Sequence, residues 1–182
     1  MIDYDEIESL LDALADHPHQ LHAMIAGLDN ATLTRASPGG QWGAVEIFCH
    51  LRDVEQLIIE RVELVLREDN PHLVEVDETL WPIERDYAGQ NPHRALDAFS
   101  KRREQFVRLL SPLDAAQWHR FGTHQMNGRQ SVLWYAQTAV EHDQAHIVQL
   151  REILERHQRA QEAGQAAPDG AANAAPTSSR SR

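Results

Sequence analysis

The sequence predicts an all-α protein, a four-helix bundle with a long crossover between its second and third helices. Three observations carry that expectation. Apolar residues recur at helical spacing in four separate stretches, and no stretch alternates convincingly as a strand would. The composition, 42% hydrophobic and 25% charged with only 9 Gly and 8 Pro in 182 residues, is that of an ordinary globular chain. At roughly 150 residues per domain, the length allows one domain and a modest surplus.

The first stretch places Ile7, Leu10, Leu11 and Leu14, then Leu21, Met24, Ile25 and Leu28, on one face, with Pro18 between the two groups. That pattern predicts a kinked helix or a helix pair. The turn formers Ser37-Pro38-Gly39-Gly40 precede a second helix over about 42–68, with Ile47, Val54, Leu57 and Ile58 on its stripe. Residues 69–92 have no periodicity and carry Pro71, Pro82, Gly89 and Pro92; such a crossover is long enough to be functional or to hold a short helix. A third helix over about 92–110 opens on Pro92, which suits a first turn, and turns Leu96, Phe99, Phe106 and Leu110 inward. After a segment interrupted by Pro112 and Gly122, Ser131 is placed to cap a fourth helix that carries Leu133, Ala136, Ala139, Val140, Ile147, Leu150, Ile153 and Leu154. The bundle domain is expected over 1–157. Residues 158–182 contain no bulky apolar side chain and read as a disordered tail.

Seventeen Lys and Arg against 28 Asp and Glu give a net charge of -11, a field that repels phosphate backbones and anionic membranes. A nucleic-acid partner is therefore not expected. Charges interrupt every apolar run, as in Val54 to Arg61, and the acidic start Met1 to Glu6 lacks the features of a signal peptide. The single cysteine, Cys49, cannot form an intrachain disulfide. Together these features predict a cytoplasmic protein without a membrane partner.

Chemistry is suggested by the histidines. Most of the 11, among them His17, His19, His22, His72, His93 and His157, fall in polar stretches where a solvated ring is expected. His142 and His146 differ, lying about 40° apart on one helical face shared with Tyr135, Ala139 and Ile153. His50 falls on the buried stripe of the second helix. An i,i+4 pair brings two rings to one point, and a third ring from a neighbouring helix completes a three-nitrogen site with open coordination positions. That donor set suits Zn, Ni or Fe(II), and sequence does not choose among them. Two other readings of the same rings are a noncatalytic or dimeric module holding a structural ion and a metal-free core in which the histidines hydrogen-bond.

Glu46 and Asp53, each within a turn of His50, are candidate catalytic groups, as bases or as orienters of a ligand ring. Arg61 and Arg103 fall on apolar stripes. Each either pairs with a carboxylate, such as Glu60, Glu104 or Asp97, or clamps an anionic substrate. Tyr135 shares the face of His142 and is a further candidate for substrate binding. The string from His142 to His146, with Asp143 inside it, is only superficially like a zinc-protease motif, because Asp is shorter than Glu and the extended pattern is missing.

Gly39-Gly40-Gln41-Trp42 leading to Glu46-Ile47-Phe48-Cys49-His50-Leu51-Arg52-Asp53, then Gly128 to Ser131 as a Gly-x-x-Ser turn, an arginine in the third helix and Glu141-His142-Asp143-Gln144-Ala145-His146, resemble the DinB/YfiT-like superfamily from about residue 5 to 154. The resemblance implies a four-helix bundle whose divalent metal is held by His50, His142 and His146. It also implies a metal-dependent hydrolase or a transferase or isomerase using a low-molecular-weight thiol, acting on a small-molecule substrate. A homodimer fits this bundle type. One departure is Gly43, where similar sequences carry Ser or Thr to cap the second helix.

Overall fold

The computed structural model describes residues 4–37 and 41–165. Pro38, Gly39 and Gly40 of the expected turn, the acidic start 1–3 and residues 166–182 of the expected tail lie outside the described residues. Four long helices form the bundle: α1 (Tyr4–Met24), α3 (Ala44–Arg67), α5 (Pro92–Leu110) and α7 (Val132–Gln165). The short helices α2 (Asn30–Leu33), α4 (Trp81–Glu84) and α6 (Ala115–Trp118) lie in the connections. Of the expected tail, 158–165 continue α7.

Helices α1 and α3 each pack against both α5 and α7, so these two successive long helices stand at opposite corners. The crossover between α3 and α5 contains the strand β1 (His72–Leu73), α4 and a 3-10 turn, Tyr87–Gly89. Strands were not expected, yet β1 pairs in parallel with β2 (Phe121–His124), which pairs antiparallel with β3 (Gly128–Ser131). Strands of 2–4 residues are too short to show an alternating pattern. The Gly-x-x-Ser turn is accordingly strand β3, opened by Gly128 with its left-handed φ of 72°. Among the described residues no helix is long and apolar enough to cross a membrane.

The caps follow local chemistry. The Asn91 side chain accepts from Arg94 N at 3.0 Å and sets Pro92 in the first turn of α5. Ser131 Oγ accepts from Trp134 N at 3.1 Å and caps α7, as its position predicts. At α3 the cap has only one half: Glu46 Oε2 accepts the Gly43 N–H at 3.0 Å, and no Gly43 side chain returns the bond. The departure to glycine has a steric cause, because a Cβ on Gly43 would stand 2.9 Å from the Arg35 carbonyl oxygen.

Pro18 does not divide α1, which is one helix across it. The core is in two apolar clusters, one including Leu21, Leu51, Phe99 and Ile147 and the other including Leu14, Ile58, Phe106 and Ala139. Between each pair of neighbours along the four helices sits a buried polar residue: His17 in α1, Glu55 in α3, Arg103 in α5 and Asp143 in α7. The bundle thus has a charged layer across its middle. His17 is 4% exposed and His157 7%, so neither is the solvated ring that its polar neighbours in sequence suggest. The fold buries them because the helix faces, and not the local composition, decide which residues point inward.

Candidate metal centre

His50 lies on the inward face of α3, and His142 and His146 lie one turn apart on α7, which packs alongside it. His50 Nε2 is 3.0 Å from His142 Nε2, and His146 Nε2 is 3.2 Å from the same atom. Each of the three rings offers one nitrogen, and these atoms all lie within 4.8 Å of one another. Nitrogens bound at about 2.0–2.1 Å to one tetrahedral ion stand about 3.3 Å apart, so the spacing fits a shared cation. The donor set fits too. A neutral imidazole nitrogen has either one hydrogen or one lone pair to offer, so His142 Nε2 cannot make a normal hydrogen bond to both neighbours at once. Three lone pairs directed at one cation satisfy all three rings.

The surroundings prepare the rings for that task. His146 Nδ1 lies 2.9 Å from Gln149 Oε1 and donates to it, which leaves the lone pair on the converging nitrogen. Burial, then the proximity of His142 and His146, lowers the pKa of His50 to about 3. Burial and then His146 lower His142 to about 4, and burial lowers His146. All three are neutral near pH 7, the state in which they can ligate. The Trp42 ring lies 4.9 Å from that of His50 and stacks 6.2 Å from that of His146. Trp42 is thus a wall of the cluster.

The remaining candidates stand apart from the three nitrogens. Asp53 is buried and accepts from Arg52 Nε at 2.7 Å, Arg85 Nη1 at 2.8 Å and the Tyr87 hydroxyl at 2.9 Å, with Arg102 Nη1 at 3.4 Å. Burial alone raises its pKa, but the bonds from Arg52, Arg85 and Tyr87 outweigh that and bring it down to about 2. Glu46 caps α3. Arg103 gives two parallel bonds of 2.7 Å to Glu55, a third to Asp143 and a fourth, at 3.3 Å, to the Leu14 carbonyl. Its partners are therefore Glu55 on the flanking α3 and Asp143 on α7 across the bundle, not the Glu60, Glu104 or Asp97 that sequence suggests. Asp143 also meets His17 Nδ1 at 3.1 Å, which makes it part of the charged layer. Burial raises its pKa, but Arg103 and His17 together hold it low. Cys49 is buried, and burial pushes its thiol up to about 11.

A cleft of about 230 Å³ opens beside His142, walled by Val54, Leu57, Trp134 and Tyr135, with Arg61 and His124 among its polar groups. The Tyr135 hydroxyl donates to Gln130 Oε1 at 2.6 Å. His124 and Arg61 meet there because β2 and the crossover are brought against α3, a juxtaposition without a local sequence signal. A larger groove, about 450 Å³, lies between α1 and α5 beside His19 and His22, at the opposite edge of the bundle from the three rings.

The sequence profile of the DinB superfamily matches residues 13–150. The chain belongs to the DinB superfamily. A protein of Halalkalibacterium halodurans named "Putative metal-dependent hydrolase" is 30% identical to this DinB-superfamily chain over 151 residues, 79% of this chain and 85% of that protein. One of the same designation from Oceanobacillus iheyensis is 21% identical over 150 residues, 82% of this chain and 86% of that protein. In structure the chain is similar to YfiT from Bacillus subtilis, described as a probable metal-dependent hydrolase with an unusual four-helix bundle topology. The TM-score is 0.79 at 21% identity, covering 87% of this chain and 91% of YfiT. That likeness establishes the four-helix bundle expected for a DinB-superfamily member.

Proposed function

We propose that this DinB-superfamily chain is a metal-dependent enzyme acting on a small molecule, with His50, His142 and His146 holding one divalent ion. The observation that carries the reading is the convergence of three neutral ring nitrogens from α3 and α7 on one point beside a cleft. When bound there, the ion supplies Lewis acidity, which lowers the pKa of a coordinated water or thiol and polarises a substrate carbonyl. The protein's own part is to hold the rings in their ligating form, through burial and through Gln149, and to shield one side of them with Trp42.

Hydrolysis is the reaction that the names of the relatives support. Transfer to a low-molecular-weight thiol would use the same ligands and is separated by assaying with and without such a thiol. Asp53 and Glu46 have positioning roles in this reading, since one carboxylate is neutralised by arginines and the other caps a helix. A purely structural ion would call for a fourth protein ligand, and among the described residues no other His, Cys, Asp or Glu joins the group.

The test is metal analysis of protein purified without a histidine tag. One divalent ion per chain is expected, lost in His50→Ala, His142→Ala and His146→Ala and retained in His17→Ala. Equal metal content in all four variants would overturn the assignment.

A further inference from the structure

The cleft beside His142 contains a cation that the fold leaves without a carboxylate. Arg61 Nη2 donates to the Val74 carbonyl at 3.0 Å and lies 3.5 Å from His124 Nε2. Its guanidinium also borders the Tyr135 hydroxyl. No ion pair of Arg61 with a carboxylate is formed among the described residues, whereas Arg52, Arg85, Arg102 and Arg103 all have one. Glu78 is near enough for its acidity to respond to Arg61 but makes no ion pair with it.

The other charged groups of the cleft do not fill the gap. His124 Nδ1 accepts from the backbone N–H groups of Met126 and Asn127, both at 3.3 Å, so its hydrogen is on Nε2. Nε2 is 3.3 Å from Glu75 Oε2, and these two groups serve each other. Among the described residues that line the cleft, Arg61 is the cation whose guanidinium is not paired with a carboxylate, while Asn127, Trp134 and Thr138 add neutral donors to the lining. The cleft that Arg61 shares with His142 has Val54, Leu57, Ile58 and Trp134 among its walls, so an apolar body has surface to pack against.

We propose that Arg61 is the anchor for a substrate carboxylate, so that the class of molecule admitted beside His142 is a small monocarboxylate with an apolar body. The proposal rests on the metal-dependent reading for its reaction, but not for its binding. Size follows from the cavity, whose 230 Å³ is below the roughly 300–1,000 Å³ typical of drug-sized pockets. Charge follows from the rim, where Glu75 and Glu78 repel a second negative charge while Arg61 supplies paired donors for one carboxylate.

The test uses 4-methylpentanoate and its uncharged isostere 4-methylpentanamide, titrated into the metal-loaded full chain and followed by the backbone amide shifts of Trp134 and Thr138. The carboxylate is expected to bind about tenfold or more tightly than the amide, the scale of a charge-assisted bond. Arg61→Gln is expected to bring the ratio close to one, and Arg61→Lys to keep part of it. The preference should persist after chelation, because it belongs to Arg61. Equal binding of the two probes by the unaltered protein, or no saturable shift with either, overturns the proposal without recourse to a variant. A preference that survives Arg61→Gln, or vanishes on chelation, overturns it by placing the carboxylate on the ion. Metal content, measured on the same samples, decides the metal-dependent reading separately.

Discussion

Arg103 Nη1 donates to the carbonyl oxygen of Leu14 at 3.3 Å, the carbonyl whose helical partner at position 18 is a proline without an N–H. A helix with an interior proline loses one backbone bond there, and α1 recovers it from a side chain of α5. The same guanidinium binds Glu55 and Asp143, so one residue joins α1, α3, α5 and α7 at the level of the charged layer.

Arg103→Leu is therefore expected to be strongly destabilising, by about 3–5 kcal/mol, since it leaves two buried carboxylates without their counter-charge. Urea unfolding followed by circular dichroism measures it. A loss under about 1 kcal/mol would mean that the layer relaxes without Arg103.

Asp53→Asn tests a different staple. Three arginines and Tyr87 converge on that carboxylate, and Arg85 and Tyr87 belong to the crossover. The variant should loosen 81–90 from the bundle and speed proteolysis there, with the far helix ends unaffected. Cleavage at the rate of the unaltered chain would count against this role.

Gly43→Ala is expected to lower the melting temperature. Alanine is already a poorer N-cap than glycine, by up to about 1 kcal/mol, and here its Cβ also meets the Arg35 carbonyl at 2.9 Å. Gly43→Ser should gain little for the same reason, although serine is a favoured cap. A clear rise in melting temperature for the serine variant would refute the steric account.

Acid should destabilise the metal-free protein in a defined window. The folded pKa of His50 is about 3 against an ordinary 6.5, so protons bind the unfolded chain more tightly. The stabilising contribution is fully present above about pH 6.5 and is lost as the pH falls towards 3. Urea midpoints in chelator across that range should fall with pH, and less steeply in His50→Gln. An unchanged slope in the variant would show that His50 is not a source of the effect.

The parts of this architecture legible in the sequence are those written in periodicity. The four long helices, the Ser131 cap and the inward faces of His50, His142 and His146 all follow from residue spacing. What spacing cannot supply is which helix stands next to which. Arg103 is readable as inward, but its partners Glu55 and Asp143 depend on α5 lying between α1 and α3 and opposite α7. Asp53 looks like a free carboxylate near His50 because Arg85 and Tyr87 arrive from a segment without periodicity. His17 has a polar sequence context and a buried position, since its partner is 126 residues away.

Two of the converging rings, those of His50 and His142, are separated by 92 positions along the chain. A ribosome must therefore finish nearly the whole bundle before any ion can be captured by all three nitrogens. On the metal-binding reading proposed above, a chain truncated ahead of α7 keeps only one of the three imidazoles of the group, His50, and is expected not to hold the ion.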